Sequence, residues 1–251
     1  MNLGNFNYYC PSSIRESEKL ISTLDNAKIL AGGTWLLNLL KQSHSLAENI
    51  ISLKDIAELR KIEKKNSSIR IGAMANLDDL ARNNLIKSHF PILPECINKI
   101  ATPQIRNMAT LGGNICSRLP WADLGYILLA LDAELHFVGN AISIADYFSR
   151  KFDSALLLNK IYLPLEKIEK YAFYRLPQTN QSDIPLCAVC ILKRGKEIVV
   201  SANLGNNFPC KFKSALDFDT FSKELKMVQK DEYRYAMLQV CFKRAKALYE
   251  A

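Results

Sequence analysis

Short apolar runs and amphipathic stretches alternate along the first fifty residues. Asn7-Tyr8-Tyr9 reads as extended, Ser12 to Leu24 as a helix with Ile14, Leu20, Ile21 and Leu24 apolar, and Lys28-Ile29-Leu30-Ala31 as a strand. A helix from Thr34 through Lys41 and a strand around Asn49-Ile50-Ile51-Ser52-Leu53 complete a β-α-β-α-β unit. Arg60 to Glu63 and Ile69 to Ala73, around a turn at Asn66-Ser67-Ser68, predict a hairpin. Helices are expected over Leu77 to Asn83, Pro94 to Ile100 and Trp121 to Leu131, the last with Leu124, Ile127, Leu128 and Leu131 on one apolar face. Leu135 to Val138 and Leu156 to Leu163 read as strands. A charged stretch after Pro164 marks a boundary near residues 164–170. Beyond it, extended segments at Tyr171 to Tyr174, Leu186 to Leu192 and Ile198 to Leu204 precede a terminal helix. That helix runs from Glu232 to Tyr249, with Tyr233, Ala236, Met237, Val240, Cys241, Ala245 and Leu248 at helical spacing. Strands followed by helices predict a small α+β domain.

A length of 251 residues, 49% hydrophobic and 23% charged, allows one large domain or two modest ones with real cores. The longest apolar run, near Ile127 to Leu131, is too short to span a bilayer. The first residues, Met1 to Phe6, lack the basic and apolar regions of a signal peptide, so a cytoplasmic location is expected. The formal charge of +8 raises nucleic acid as a partner. The basic residues are dispersed, however, and the densest group, Arg60-Lys61 with Lys64-Lys65, flanks a polar turn without stacking aromatics. A solvated hairpin explains it better.

Seven cysteines at irregular spacing read as reduced thiols, mostly in the core. Cys187-Ala188-Val189-Cys190 has Cys-x-x-Cys form but lies in an apolar strand, where positions three apart face opposite sides. His44, His89 and His136 show no ligand spacing, so no metal site is expected.

Candidate chemistry lies in two glycine pairs: Ala31-Gly32-Gly33-Thr34, and Thr110-Leu111-Gly112-Gly113-Asn114. Residues without side chains let backbone N–H groups turn toward one point, and let a ligand approach the main chain. One such loop holds a phosphate; two point to a diphosphate between two halves of a domain. The Gly-x-Gly-x-x-Gly fingerprint of the doubly wound fold is missing, which disfavours a Rossmann domain. Taken singly, each pair is equally well a structural turn: strand-to-helix for Gly32-Gly33, a bulge or crossover for Gly112-Gly113. Thr34 before a helix, and Thr110 and Asn114 around the second pair, tilt the balance toward anion binding. Asp123 falls near the start of the next helix, where capping is its ordinary use. Its carboxylate would repel a pyrophosphate, so any ligand contact is expected with hydroxyl or ring N–H donors.

Two segments carry a resemblance: Ala31-Gly32-Gly33-Thr34-Trp35-Leu36, and above all Ala101-Thr102-Pro103-Gln104-Ile105-Arg106-Asn107-Met108-Ala109-Thr110-Leu111-Gly112-Gly113-Asn114-Ile115-Cys116. With Ala122-Asp123-Leu124 and Leu128 to Glu134, and a terminal helix led by Glu232-Tyr233-Arg234, the chain resembles the FAD-binding subunit of the molybdenum hydroxylases, the xanthine dehydrogenase and carbon monoxide dehydrogenase family. The resemblance implies an α+β chain. A two-subdomain FAD-binding fold of the vanillyl-alcohol oxidase type fills residues 1–165 (subdomains about 1–55 and 56–165), and a small α+β C-terminal flavoprotein domain fills 166–251.

The same resemblance implies cofactor contacts from Ile29, Leu30, Ala31, Gly32, Gly33, Thr34, Trp35 and Leu36 as a first wall. Ile100 and Ala101 would lie against the flavin or adenine, Thr110, Gly112, Gly113 and Asn114 would form a second phosphate loop, and Asp123 would meet a polar edge. Ser117 and Leu158 match lining positions. FAD is the implied cofactor of this chain. A molybdenum cofactor and [2Fe-2S] clusters would sit on partner subunits, with electrons leaving for NAD⁺ or another acceptor and a purine or N-heterocycle oxidised by the molybdenum subunit.

Two features depart from that family. Phe173 stands where many relatives carry a Lys near the flavin ring, and Trp35 and Trp121 are bulky at positions often smaller or polar. The alternative reading is an FAD-fold scaffold or regulatory subunit without flavin turnover. A peptidoglycan-precursor reductase of the same fold fits the Gln104-Ile105-Arg106-Asn107 run less well.

Overall fold

The β-α-β-α-β unit expected at the start of the chain is present in a computed structural model that describes residues 5–42, 47–149, 156–179 and 184–251. Strand β1 (Asn7–Tyr9), helix α1 (Ile14–Thr23), β2 (Ala27–Leu30), α2 (Leu36–Gln42) and β3 (Asn49–Ser52) form a parallel sheet in the order β1-β3-β2. Ile50 pairs with Tyr8 on one side and Lys28 on the other. A central parallel strand is covered on both faces, and all four residues of β3 are buried. Its polar Asn49 is satisfied: its side chain donates to the Asp25 carbonyl (2.7 Å) and accepts from Asn7 (3.0 Å). Ser13 caps α1 by accepting from the Glu16 N–H, while Glu16 reaches back to the Ser12 N–H, a reciprocal arrangement that fixes the helix start.

A 3-10 turn (Ala57–Arg60) leads into β4 (Ile62–Lys65) and β5 (Ser68–Gly72), the expected hairpin. Then come α3 (Leu77–Arg82), α4 (Asn84–His89), α5 (Ile92–Ile97), α6 (Pro103–Met108), α7 (Leu111–Cys116), α8 (Leu124–Ala130), β6 (Glu134–Phe137), β7 (Asn140–Ser143), α9 (Ile144–Ser149) and β8 (Leu158–Pro164). The strands make an antiparallel sheet in the order β4-β5-β8-β6-β7.

The last segment, β9 (Ile168–Pro177), β10 (Pro185–Arg194), β11 (Glu197–Asn203), β12 (Cys210–Phe212), α10 (Phe218–Val228) and α11 (Glu232–Glu250), forms a sheet β12-β11-β10-β9 with two helices. Strand β10 is sandwiched. Ala188, Cys190 and Leu192 join the core that holds α8, while Cys187, Val189 and Ile191 join the core under α10 and α11. Cys187 and Cys190 therefore do face opposite sides. All seven cysteines are free thiols, and four of them are buried.

Three expectations need correction. Helix α8 begins at Leu124 rather than Trp121 and is buried on every side, because helices pack on one flank and the C-terminal sheet covers the other. The terminal helix buries Leu238, Cys241, Phe242, Ala245 and Tyr249, and leaves Tyr233 63% and Leu248 56% exposed. Apolar residues circle this helix, so periodicity alone does not choose the face; docking on β10 does. Gly112 and Gly113 lie in neither a loop nor a bulge but in the first turn of α7. His44 lies outside the described residues. No described helix is long and apolar enough to cross a membrane.

Candidate functional site

The two glycine pairs are neighbours in space. A Cβ built on Gly113 would lie 3.6 Å from the Ala31 Cβ, and one on Gly32 would lie 1.9 Å from the Met108 carbonyl oxygen. The turn after β2, carrying Ile29, Leu30, Ala31, Gly32, Gly33, Thr34, Trp35 and Leu36, thus rests on the α6–α7 junction. Only a residue without a side chain admits that approach at Gly32, and Gly33 has φ +75°. Among the described residues, the N–H groups of Gly32, Gly33, Thr34 and Trp35 donate to no other backbone carbonyl. Four consecutive donors are left for a ligand.

The second pair behaves differently. The Thr110 hydroxyl accepts from the Gly113 N–H at 3.0 Å, a helix N-cap. The Leu111 N–H donates to Ala75 O (3.0 Å), Gly112 to Ala73 O (2.8 Å) and Asn114 to Thr110 O (2.9 Å). All four amides of this helix start are consumed internally. The expected second phosphate loop is therefore a closed helix turn, and its glycines serve close packing: a Cβ on Gly112 would sit 2.7 Å from Ala73 O. The Asn114 side-chain oxygen, by contrast, is buried without a partner.

Ile100 and Ala101 follow α5 in a turn where Ala101 adopts φ +43°. Nη1 of the buried Arg106 donates to both their carbonyls, at 2.8 and 3.1 Å, and holds that uncommon conformation. Ser117 ends α7, its hydroxyl donating to Asn114 O, and Leu158 is buried at the start of β8.

Asp123 precedes α8 but does not cap it by a side-chain hydrogen bond. Its carboxylate accepts two bonds from the Arg175 guanidinium, Nε–Oδ1 at 2.7 Å and Nη2–Oδ2 at 3.1 Å, and both side chains are more than nine-tenths buried. Burial works to lower the Arg175 pKa, yet the hydrogen bonds and charge of Asp123 outweigh it and the value ends above the usual one. Arg175 is one of three residues on one face of β9 that engage α5, the segment after it and the start of α8. Tyr171 hydrogen-bonds Glu95, and Phe173, only 6% exposed, lies under the Lys99 ammonium at 4.4 Å from the ring centroid. Lys99, two residues past the end of α5, thus sets a cation on the Phe173 ring. Sequence reasoning gave no role to Lys99, Arg106 or Arg175. Lys99 and Arg175 meet partners 74 and 52 residues distant, which no local pattern signals.

This arrangement belongs to a defined class. Residues 4–166 match the family described as the FAD binding domain in molybdopterin dehydrogenase, and the chain belongs to that family. It is 37% identical over 134 residues to the carbon monoxide dehydrogenase medium chain of Hydrogenophaga pseudoflava, covering 53% of this chain and 46% of that one. It is 35% identical over 129 residues to the xanthine dehydrogenase FAD-binding subunit of Escherichia coli O157:H7, covering 51% and 44%. The matched stretch spans about half the length of these two relatives. In three dimensions the whole chain follows a chain of the Cu,Mo-CO dehydrogenase crystal structure in its cyanide-inactivated form, with a TM-score of 0.89, 25% identity and coverage of 98% and 99%. FAD is the cofactor of this family's domain. The residues fit it, since four consecutive unengaged backbone N–H groups are donors suited to a diphosphate.

Proposed function

We propose that this chain is the flavin-carrying electron-relay subunit of a molybdenum-containing hydroxylase. Electrons would reach it from [2Fe-2S] clusters of a partner and pass to NAD⁺ or another soluble acceptor. A purine or other N-heterocycle would be oxidised on a separate molybdenum subunit. The observation that carries the reading is the run of unengaged N–H groups from Gly32 to Trp35, set against the start of α7 inside the family-matched segment.

In this reading Ile29 to Leu36 form one wall and hold the diphosphate. Thr110, Gly112, Gly113 and Asn114 form the facing wall. Ile100, Ala101, Ser117, Leu158 and Phe173 line the remainder, and Asp123 offers a polar edge. When bound, FAD supplies the redox chemistry; the chain supplies orientation, electrostatics and restricted access. Residues 1–165 would hold the cofactor, with the sheet of residues 166–251 closing against them. A cytoplasmic location accords with the reading.

The test is titration of the purified chain with FAD, followed by mixing with its partner subunits and their substrate. Binding at one FAD per chain, with bleaching of the flavin absorbance on mixing, supports the proposal. A chain that takes up no FAD overturns it. FAD that binds but is never reduced by the partners returns the scaffold reading, for which the deep packing of Phe173 is the motive.

A further inference from the structure

We propose that Arg175 is a positioning residue for the FAD cleft: carried on β9, it neutralises Asp123 and fixes its direction so that an anionic dinucleotide can bind beside a buried carboxylate. The inference rests on the reading in which the FAD diphosphate meets the Gly32–Trp35 turn.

Asp123 lies two residues after Trp121, whose ring meets that of Trp35 with centroids 6.0 Å apart, so the indole pair ties the Asp123 segment to that turn. A carboxylate sealed from water at such a position projects its charge through a low-dielectric medium, where like charges repel far more than in solvent. An unpaired Asp123 would oppose a diphosphate. The structure removes the problem with a guanidinium that grips both carboxylate oxygens in a fork, a geometry that cancels charge and fixes direction together. A separate contact holds the Asp123 backbone. Its carbonyl accepts from the Cys96 thiol at 3.8 Å, and Cys96 in turn meets the Tyr126 hydroxyl at 3.9 Å.

Arg175 comes from the C-terminal sheet, two residues beyond Phe173 on the same face of β9. The C-terminal domain therefore contributes charge to the cofactor cleft as well as covering it. Lys would not be equivalent here: a single ammonium satisfies one oxygen well and leaves the other underused.

The experiment compares Arg175→Gln, Arg175→Lys, Asp123→Asn and the double variant Asp123→Asn/Arg175→Gln in the full-length chain. FAD dissociation constants come from flavin fluorescence, the bound flavin's midpoint potential from reductive titration, and folding from circular dichroism. Arg175→Gln should weaken FAD binding by roughly thirtyfold, the scale of one uncompensated charge at a binding site, while the midpoint potential, which follows charge at the flavin ring rather than at the diphosphate, should move little. Arg175→Lys should fall between. The double variant should recover binding to within about threefold of wild type.

Arg175→Gln binding within threefold of wild type overturns the inference. So does a double variant no better than Arg175→Gln, since the loss is then structural rather than electrostatic. Gly33→Ala in the same titration separates the two levels of argument. If it loses FAD while Arg175→Gln does not, the cleft stands and the role of Arg175 falls; if it binds FAD as wild type does, the placement of the diphosphate falls, and this inference with it.

Discussion

Trp35 and Trp121 meet edge to face, ring centroids 6.0 Å apart and planes inclined at 73°. One hangs from the turn after β2 and the other from the segment before α8, so the pair joins the parallel-sheet unit to the helical core across the proposed cleft. Their bulk is thereby put to use.

Removing one ring should loosen that joint. Trp121→Ala is expected to cost about 2 kcal/mol and Trp35→Ala less, because Trp35 is 39% exposed. A double-mutant cycle by urea denaturation should return a coupling of about 1 kcal/mol. Additive single losses would show that the rings merely sit near one another.

The glycines of the two pairs should respond differently. Gly32→Ala places a Cβ 1.9 Å from the Met108 carbonyl oxygen, which only a backbone shift relieves, so a loss of about 2–3 kcal/mol is expected. Gly113→Ala meets the Thr110 hydroxyl at 2.9 Å but gains helix propensity, and should stay within about 1 kcal/mol of wild type. Thermal melts of the two variants side by side decide this; equal losses would refute the asymmetry.

Thr110 is buried, and its hydroxyl serves as the cap of α7. Thr110→Ala should cost about 1 kcal/mol, and Thr110→Ser should recover most of it. Hydrogen exchange of the Gly113 amide offers a local readout. Exchange that does not quicken in the Ala variant would show that the cap bond does not protect that amide.

Acid stability should carry a signature of Asp132. Partial burial raises its pKa, but hydrogen bonds and charges from Lys211 and Arg194 prevail and hold it below the usual 3.8. A depressed folded-state value means the stabilisation is present above the unfolded pKa and is lost as pH falls through the folded one. The Tm difference between wild type and Asp132→Asn should therefore be constant above about pH 5 and shrink below pH 4. A difference that grows on acidification contradicts the assignment.

Local patterns in this chain carried far. The β-α-β-α-β opening, the 62–72 hairpin and the three long strands after Pro164 follow from apolar runs and turn residues, and they recur in the structure. The proposed site was legible as a pair of glycine motifs because close main-chain approach leaves glycine as its mark. The different uses of the two pairs were not legible. The N–H groups of Gly112 and Leu111 are consumed by Ala73 and Ala75, more than thirty residues earlier, and no spacing records a bond of that kind. The face of α11 was equally hidden, since apolar residues surround it.

The sequence by itself determined the family, the presence of two glycine motifs and the alternation of elements, because these depend on residue type and short-range period. Tertiary structure alone decided which glycine turn keeps free donors, that Lys99 reaches Phe173, and that Arg175 closes on Asp123 from 52 residues away. Long-range pairing of charge depends on where separate elements pack, and that is settled only when the sheets and α8 bury their apolar surfaces against one another.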